Sequence, residues 1–352
     1  MGIVNSILFT IFFPCVTSFI VTYLAIPKII HFSNKSRLFV KSGLRNSHQG
    51  NIPIFGGIAI FSGLIFSLIL WTNVASIQYI LVSLIIVFFI GIIDDLLSLS
   101  PIKKLIGQII SILVLIFLAD LSINSMHNIF NVTDLHRSIS IIFTIFVVIV
   151  ITNAYNLIDG IDGLAAGLGS ISLLVFGILF IINKDTQYAI ISFSMLGALF
   201  AFLKYNFNPA VIFMGDTGSL VLGLVLSVLS IHLINTGVEV PNDQLYINKG
   251  PFIAISLMAI PLYDTFRIFF IRIFNKKNPL RPDRNHIHHL LLDLGCSHKV
   301  AAIILYFTST LIAIFSYLMI ENSITLSIFV LSIVVLILMS IPFIILKLKK
   351  DK

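Results

Sequence analysis

An all-α, polytopic integral membrane protein of about eleven transmembrane helices is the fold class this sequence predicts, N-terminus outside and C-terminus cytoplasmic. Three observations predict it. Hydrophobic residues make up 58% of the 352, charged residues 11%, and mean hydropathy is +1.08, whereas a soluble domain carries about 25% charged residues. Apolar windows of the roughly 17–25 residues that cross a bilayer recur from end to end. Lys and Arg gather on one side of those windows, as they do in cytoplasmic loops.

The windows lie at about 4–27, 54–72, 77–93, 105–121, 139–155, 163–182, 187–204, 217–235, 252–271, 300–320 and 324–346. The first reads as a retained span, since neither a basic leader nor a small-residue cleavage site accompanies it. A tight polar turn, Thr72 to Ser76, separates the second from the third. The ninth is interrupted by Pro261 and carries Asp264 and Arg267, so it is expected to run on as an amphipathic helix beyond the membrane. Of the 22 basic residues, all but Arg137, Lys184 and Lys249 fall on one side of this alternation, which orients the chain. The net charge of +7 is mostly that asymmetry plus attraction to anionic lipid, and implies no nucleic acid. Two cysteines, Cys15 and Cys296, make no disulfide framework. No soluble domain or internal repeat stands out.

Ionisable residues beside a bilayer are costly and mark binding or ion sites. Asp94, Asp95, Asp159, Asp162, Asp216, Asp264, Asp283 and Asp293 all fall on the lysine-rich side, at span ends or in the loops beyond. A transporter would place charge near the midplane, in broken helices of related halves. Here the polar chemistry forms a shallow site at one face, suited to one soluble and one lipid reactant.

The chain is organised around Asn153 to Gly167, where two amides, two carboxylates and three glycines sit between apolar runs. Asp94-Asp95 closes the third window. Adjacent carboxylates on a helix point about 100° apart, so each can act separately: on a divalent cation, on a phosphate through it, or as a base. Acids at a helix C-terminus oppose the macrodipole, a cost that favours function over solubility. Lys103 and Lys104 follow as point charges for phosphate. Asn206 to Ser219 bridges the seventh and eighth windows, with Asp216 at the mouth of a helix between Gly215 and Gly218. A carboxylate there with the Asn156 amide suits a hard cation that keeps phosphate oxygens in its shell. Phe213 offers a ring for a base. The run Arg281-Pro-Asp-Arg284-Asn-His286-Ile-His288-His289 could ligate zinc, which wants three or four ligands, or recognise an oxyanion and a sugar. His48 to Gly57, with Pro53 and Gly56-Gly57, is a weak signal of close backbone approach. On residues alone three functions remain open: phosphoryl transfer, secondary transport and zinc-dependent hydrolysis.

Taken together, the Pro53/Gly56-Gly57 segment, Asp94-Asp95, Asn153–Gly163, Asn206–Ser219 and Asp264–His289 resemble the polyprenyl-phosphate N-acetylhexosamine-1-phosphate transferases, glycosyltransferase family 4. Five motifs in one order are more specific than any one. The histidine run is similar to that of the bacterial branch that makes undecaprenyl-diphosphate-N-acetylglucosamine for surface polysaccharides such as lipopolysaccharide O-antigen or cell-wall polymers. The branch with a muramoyl-pentapeptide donor carries a different triple-histidine loop.

The resemblance implies a single transmembrane catalytic domain over 1–352, its site built from cytoplasmic loops at about 28–53, 94–104, 153–167, 204–219 and 264–299. It implies attack of undecaprenyl phosphate on the β-phosphorus of a UDP-N-acetylhexosamine at the bacterial inner membrane. Asp216 with Asn156 would hold Mg²⁺, with Mn²⁺ able to substitute. Asp94 would position or deprotonate the lipid phosphate, supported by Asp95. Asp162, Asn206 and Phe213 would hold uridine, and Asp159 would shape the central loop. Arg284, His286, His288 and His289 would clamp diphosphate and sugar, and Lys104 and His48 would meet the lipid phosphate. A homodimer is compatible with the family.

Overall fold

The computed structural model describes residues 8–36, 52–239, 246–247, 249–276, 286–319 and 321–350. A π-turn, Leu8–Phe12, leads into α1 (Phe13–Ser36). There follow α2 (Gly56–Trp71), α3 (Val74–Leu97), α4 (Pro101–Phe117), α5 (Arg137–Ile158), α6 (Leu164–Ile182), α7 (Thr186–Asn206) and α8 (Gly215–Thr236). The chain continues through α9 (Gly250–Leu257), α10 (Ala259–Phe274), α11 (Ile287–Asp293), α12 (His298–Leu318) and α13 (Ile324–Lys350). Helices follow from the sequence because lipid offers backbone amides no partner, so a spanning segment must satisfy its own. Ends are set by local chemistry: Asn73 Oδ1 accepts from Ala75 N at 3.2 Å to start α3, Pro101 occupies the first turn of α4, and Ser297 Oγ accepts from Val300 N at 3.3 Å to start α12.

Among the described residues, eight helices are long and apolar enough to cross a membrane, or nine if α9 and α10 count as one bent span. The predicted second and fourth windows fall on shorter helices, α2 with 16 residues and α4 with 17. In the ninth window the break lies at Met258, not at Pro261, and the two pieces meet at 78°. Pro261 sits in the first turn of α10, where a missing N–H leaves no bond unmade. Asp264, Ile268 and Arg272 form the buried stripe of α10. Two short antiparallel strand pairs also depart from the all-helical expectation: β1 (Ser125–Ile129) with β2 (Val132–Asp134), and β3 (Val238–Glu239) with β4 (Tyr246–Ile247). Their strands are too short to leave a period in the sequence.

The core is built around α8. Its span window is 94% buried, against 22% for α13, and it packs against α2, α3, α5 and α9. With no hydrophobic gain between helices in lipid, close packing of small residues takes over. A Cβ on Gly57 would lie 2.2 Å from Gly218 N, and one on Gly91 would lie 2.3 Å from Thr217 Cα. The backbones of α2 and α3 therefore touch the N-terminal turn of α8. Elsewhere serines tie helices: Ser67 Oγ meets Ser194 Oγ at 2.8 Å and donates to Pro14 O at 2.9 Å, joining α1, α2 and α7.

Candidate active site

The packing of α2 and α3 on α8 brings four polar segments to one end of the bundle. Gly56 N and Gly57 N donate to Phe213 O and Met214 O at 2.9 and 2.8 Å, and Phe213 N donates to Pro53 O at 2.8 Å. This short ladder seats the start of α8 against residues 53–57, so the weak Pro-Gly-Gly signal marks a real backbone approach.

Asp95, near the end of α3, caps α8 from across the bundle. Asp216 N donates to Asp95 Oδ1 at 2.7 Å, and Thr217 N and Oγ1 donate to Oδ2 at 3.0 and 2.5 Å. A helix N-terminus presents orphan N–H groups and positive dipole charge, which a carboxylate satisfies. Asp95 thus holds Asp216 in place rather than facing the site. Asp94 points elsewhere, as the helical spacing requires. Its Oδ1 accepts from Leu99 N at 2.7 Å, and its Oδ2 pairs with Lys104 Nζ at 3.0 Å.

Lys104, in the first turn of α4, also donates to Asp216 Oδ2 at 2.5 Å and to Asn156 Oδ1 at 3.4 Å. Asn156 Nδ2 in turn donates to Asp216 Oδ1 at 2.6 Å and to Ser219 Oγ at 2.9 Å. Asp94, Lys104, Asn156 and Asp216 therefore form one cluster from α3, α4, α5 and α8. One helical turn deeper, Asn153 Nδ2 donates to Gln108 Oε1 at 3.3 Å. The groups of the cluster able to ligate a metal, the carboxylates of Asp216 and Asp94 and Asn156 Oδ1, are oxygens, and one or two carboxylates with an open shell suit Mg²⁺, which keeps water and phosphate ligands. Among the described residues no three His, Cys, Asp or Glu side chains gather as a metal cage.

The central loop is shorter than its polar composition suggests. Asn153 to Ile158 belong to α5, and Leu164 to Gly167 begin α6. Asp159 lies half-buried in the turn between them. Burial, then the charges of Asp216, Asp95 and Asp162, push its carboxyl up to about 7. Asp162 is buried and taken up by the scaffold: its Oδ2 accepts from Asn208 Nδ2 at 3.0 Å and Ala210 N at 3.1 Å, and its Oδ1 lies 3.3 Å from His298 Nδ1. Asn206 is also buried, accepting from Gly163 N at 2.9 Å and donating to Ile212 O at 2.8 Å. Both hold the loop against residues 206–212. Phe213 is half-buried, its backbone held in the ladder with residues 53–57.

The histidine segment reaches the same loop. His286 is buried, with Nδ1 2.7 Å from Asp264 Oδ2. Asp264 Oδ1 accepts from Ile287 N at 3.0 Å and Arg267 at 3.1 Å. Asp264 is therefore the anchor of α11, and His286 faces that anchor. His288 is buried against Gly160, where an added Cβ would fall 2.2 Å from Nε2. Desolvation, then the neighbouring His289, holds His288 down at about 3, a neutral ring near neutral pH. The rings follow one another, His286 stacked on His288 at 5.7 Å and His288 tilted by 52° to His289 at 4.2 Å. His48 and Arg284 lie outside the described residues.

Asp264 and His298 went without a role in the sequence reading. A carboxylate inside an apolar window was the available signal for Asp264; nothing in the local sequence marks His298. Tyr306, donating to Gly163 O at 2.6 Å from α12, was equally invisible.

Comparison with known proteins bears on this geometry. A profile of glycosyl transferase family 4 matches residues 77–234. The undecaprenyl-phosphate alpha-N-acetylglucosaminyl 1-phosphate transferase of Pasteurella multocida is 33% identical over 306 residues, covering 85% of this chain and 83% of that protein. The chain belongs to glycosyl transferase family 4. A probable undecaprenyl-phosphate N-acetylglucosaminyl 1-phosphate transferase of Bacillus subtilis is 31% identical, covering 91% of this chain and 89% of its own. The decaprenyl-phosphate N-acetylglucosaminephosphotransferase of Mycobacterium tuberculosis is 28% identical, covering 82% and 78%. The family profile spans α3 to α8 and so contains Asp94, Lys104, Asn156, Asp159 and Asp216. The histidine segment lies beyond it.

Proposed function

We propose that this protein transfers an N-acetylhexosamine 1-phosphate, GlcNAc-1-phosphate foremost, from a UDP-sugar to undecaprenyl phosphate, releasing UMP and initiating a lipid-linked surface polysaccharide. The single observation that carries this reading is the meeting of Asp94, Lys104, Asn156 and Asp216 at one end of an apolar bundle, in a chain of this family. One reactant is a membrane lipid and the other a soluble nucleotide sugar, and a shallow site at a membrane face serves both. The Lys and Arg bias supports eleven spans with the N-terminus outside, the C-terminus in the cytoplasm and the site on the cytoplasmic face of a bacterial inner membrane. A homodimer is compatible with this arrangement.

Phosphoryl transfer depends on positioning and charge neutralisation more than on covalent chemistry by the protein. An oxygen of the lipid phosphate attacks the β-phosphorus, a new P–O bond forms, and the bond from that phosphorus to the bridging oxygen breaks, leaving with UMP. Lys104 and His48 receive the lipid phosphate, and Asp94 positions it or takes up its proton; a largely ionised phosphate needs little activation. A Mg²⁺ ion on Asp216 and Asn156, or Mn²⁺ in its place, would neutralise diphosphate charge when bound. Asp95 fixes Asp216. Uridine lies over the central loop beside Phe213, with Asp162 and Asn206 keeping that loop in shape. Neutral His288, His289 and Arg284 face the diphosphate and sugar, and His286 positions them from its anchor on Asp264. Asp159 shapes the turn of the central loop, and with its carboxyl pushed up to about 7 by burial and the neighbouring carboxylates it can exchange a proton near neutral pH.

Purified protein with radiolabelled UDP-GlcNAc and undecaprenyl phosphate is expected to yield UMP and solvent-extractable label in equal amounts. Release of free sugar phosphate in place of lipid-linked label would contradict transfer. Exchange of labelled UMP into UDP-sugar without lipid phosphate would replace direct attack by a covalent intermediate.

A further inference from the structure

Three oxygens from three helices converge on one point, and that point holds an ammonium group. Lys104 Nζ lies 2.5 Å from Asp216 Oδ2, 3.0 Å from Asp94 Oδ2 and 3.4 Å from Asn156 Oδ1. An ammonium has three donors and no acceptor, so these three oxygens exhaust it. They are also the ligand type a hard divalent cation requires, and two of them belong to Asp216 and Asn156.

We propose that Lys104 is a built-in place-holder cation, which fills the divalent-metal position in the resting protein and is displaced from Asp216 when metal enters. The inference rests on the reading above that Asp216 and Asn156 take a divalent ion. A metal ion drawn to these three oxygens would take the point the ammonium fills, and at a similar distance a double charge is held by Asp216 Oδ2 about twice as strongly as a single one. The lysine stem is flexible, while Asp94 is pinned by Leu99 N at 2.7 Å. Displacement therefore leaves the ammonium on Asp94 with free donors.

Two functional consequences follow. Metal binds the free protein weakly, because each ion must first displace the lysine, and it binds well only when a diphosphate adds its own oxygens. The nucleotide sugar and metal consequently enter together, before the lipid phosphate. Their entry frees Lys104 beside Asp94, where the acceptor phosphate arrives. The lysine thus links occupation of the donor side of the site to readiness of the acceptor side.

The test is Mn²⁺ binding without substrate, read by the loss of the free-ion electron paramagnetic resonance signal, on full-length protein in detergent. If Lys104 fills the site about nine-tenths of the time, its removal tightens metal binding roughly tenfold. Lys104→Met should therefore bind one Mn²⁺ about tenfold more tightly than the unmodified chain, and Asp216→Asn in that background should abolish the gain. Equal or weaker binding by Lys104→Met overturns the proposal. Should Lys104→Met fail to fold, acetylation of Lys104 in the unmodified protein, read by peptide mass, gives the answer. Saturating Mn²⁺ should speed modification by withdrawing the lysine from between two carboxylates; unchanged or slower modification overturns the proposal. Neither readout involves turnover, so failure here leaves the transferase reading standing, and failure of transfer leaves these results unaffected.

Discussion

Replacing Asp95 by Asn separates the two carboxylates of the Asp94-Asp95 pair. Asp95 accepts three hydrogen bonds from the first turn of α8, from Asp216 N, Thr217 N and Thr217 Oγ1. The amide keeps one acceptor oxygen and turns an NH₂ group toward an N–H or hydroxyl. Bonds to a charged acceptor contribute roughly 1.5–3 kcal/mol and neutral ones about 1; a charge at a helix N-terminus adds about 0.3–1. For a partly buried site the loss comes to about 3–4 kcal/mol. The damage also reaches catalysis, because the N–H that Asp95 holds is that of Asp216 itself. A displacement of Asp216 approaching 1 Å is expected to lower turnover about a hundredfold. Denaturant unfolding in detergent and initial rates on the same preparation measure both effects. Asp94→Asn is the control: it breaks the Lys104 pair but leaves the α8 cap intact, so turnover should fall with the smaller stability loss. If Asp95→Asn matched the unmodified chain in stability, or Asp94→Asn were the less stable of the two, the division of labour would be refuted.

Asp216→Asn should lower turnover at least about a hundredfold through loss of the metal carboxylate, and a Mg²⁺ titration should show no rescue at high concentration. Asp159, raised to about 7 by burial and neighbouring carboxylates, is favoured by the fold in its neutral form. Its contribution to stability is thus present below the ordinary carboxylate range near 4 and lost as pH rises through about 7. Asp159→Asn should flatten stability between about pH 4 and 7 and remove any activity limb near 7; an unchanged pH profile would remove Asp159 from proton exchange. His288→Ala should raise KM for the nucleotide sugar more than for the lipid, and equal kinetic parameters would count against its place on the donor. Gly160→Ala puts a methyl into the His288 ring; it should lower turnover in the unmodified chain but add little in a His288→Ala background, as a double-mutant cycle would read.

Hydropathy made the spans legible because a bilayer leaves a helix as the only way to satisfy a lone segment's backbone. It could not show that α9 and α10 break at Met258, since the residues there are as apolar as their neighbours. The site was legible in its members but not in their directions. Asp94, Lys104, Asn156 and Asp216 could be placed together because polar residues at the ends of apolar windows share one face. That Asp95 turns to α8 while Asp94 turns to Lys104 depends on a helix reached 121 residues later. Asp162, Asn206 and His286 carry the right chemistry for a ligand, yet their polar atoms bind backbone, His298 and Asp264. Composition alone does not distinguish a side chain that faces a ligand from one that holds its neighbour.

The most direct test of the transfer reaction is a donor panel. Membranes containing the protein are supplied with undecaprenyl phosphate, Mg²⁺ and UDP-GlcNAc, UDP-GalNAc or UDP-muramoyl-pentapeptide, and the lipid fraction is weighed by mass spectrometry. The account predicts a new lipid heavier by one N-acetylhexosamine phosphate with UDP-GlcNAc, matched by UMP, and absent with Asp216→Asn. A lipid fraction unchanged by every donor, or one gaining sugar without phosphate, would contradict it.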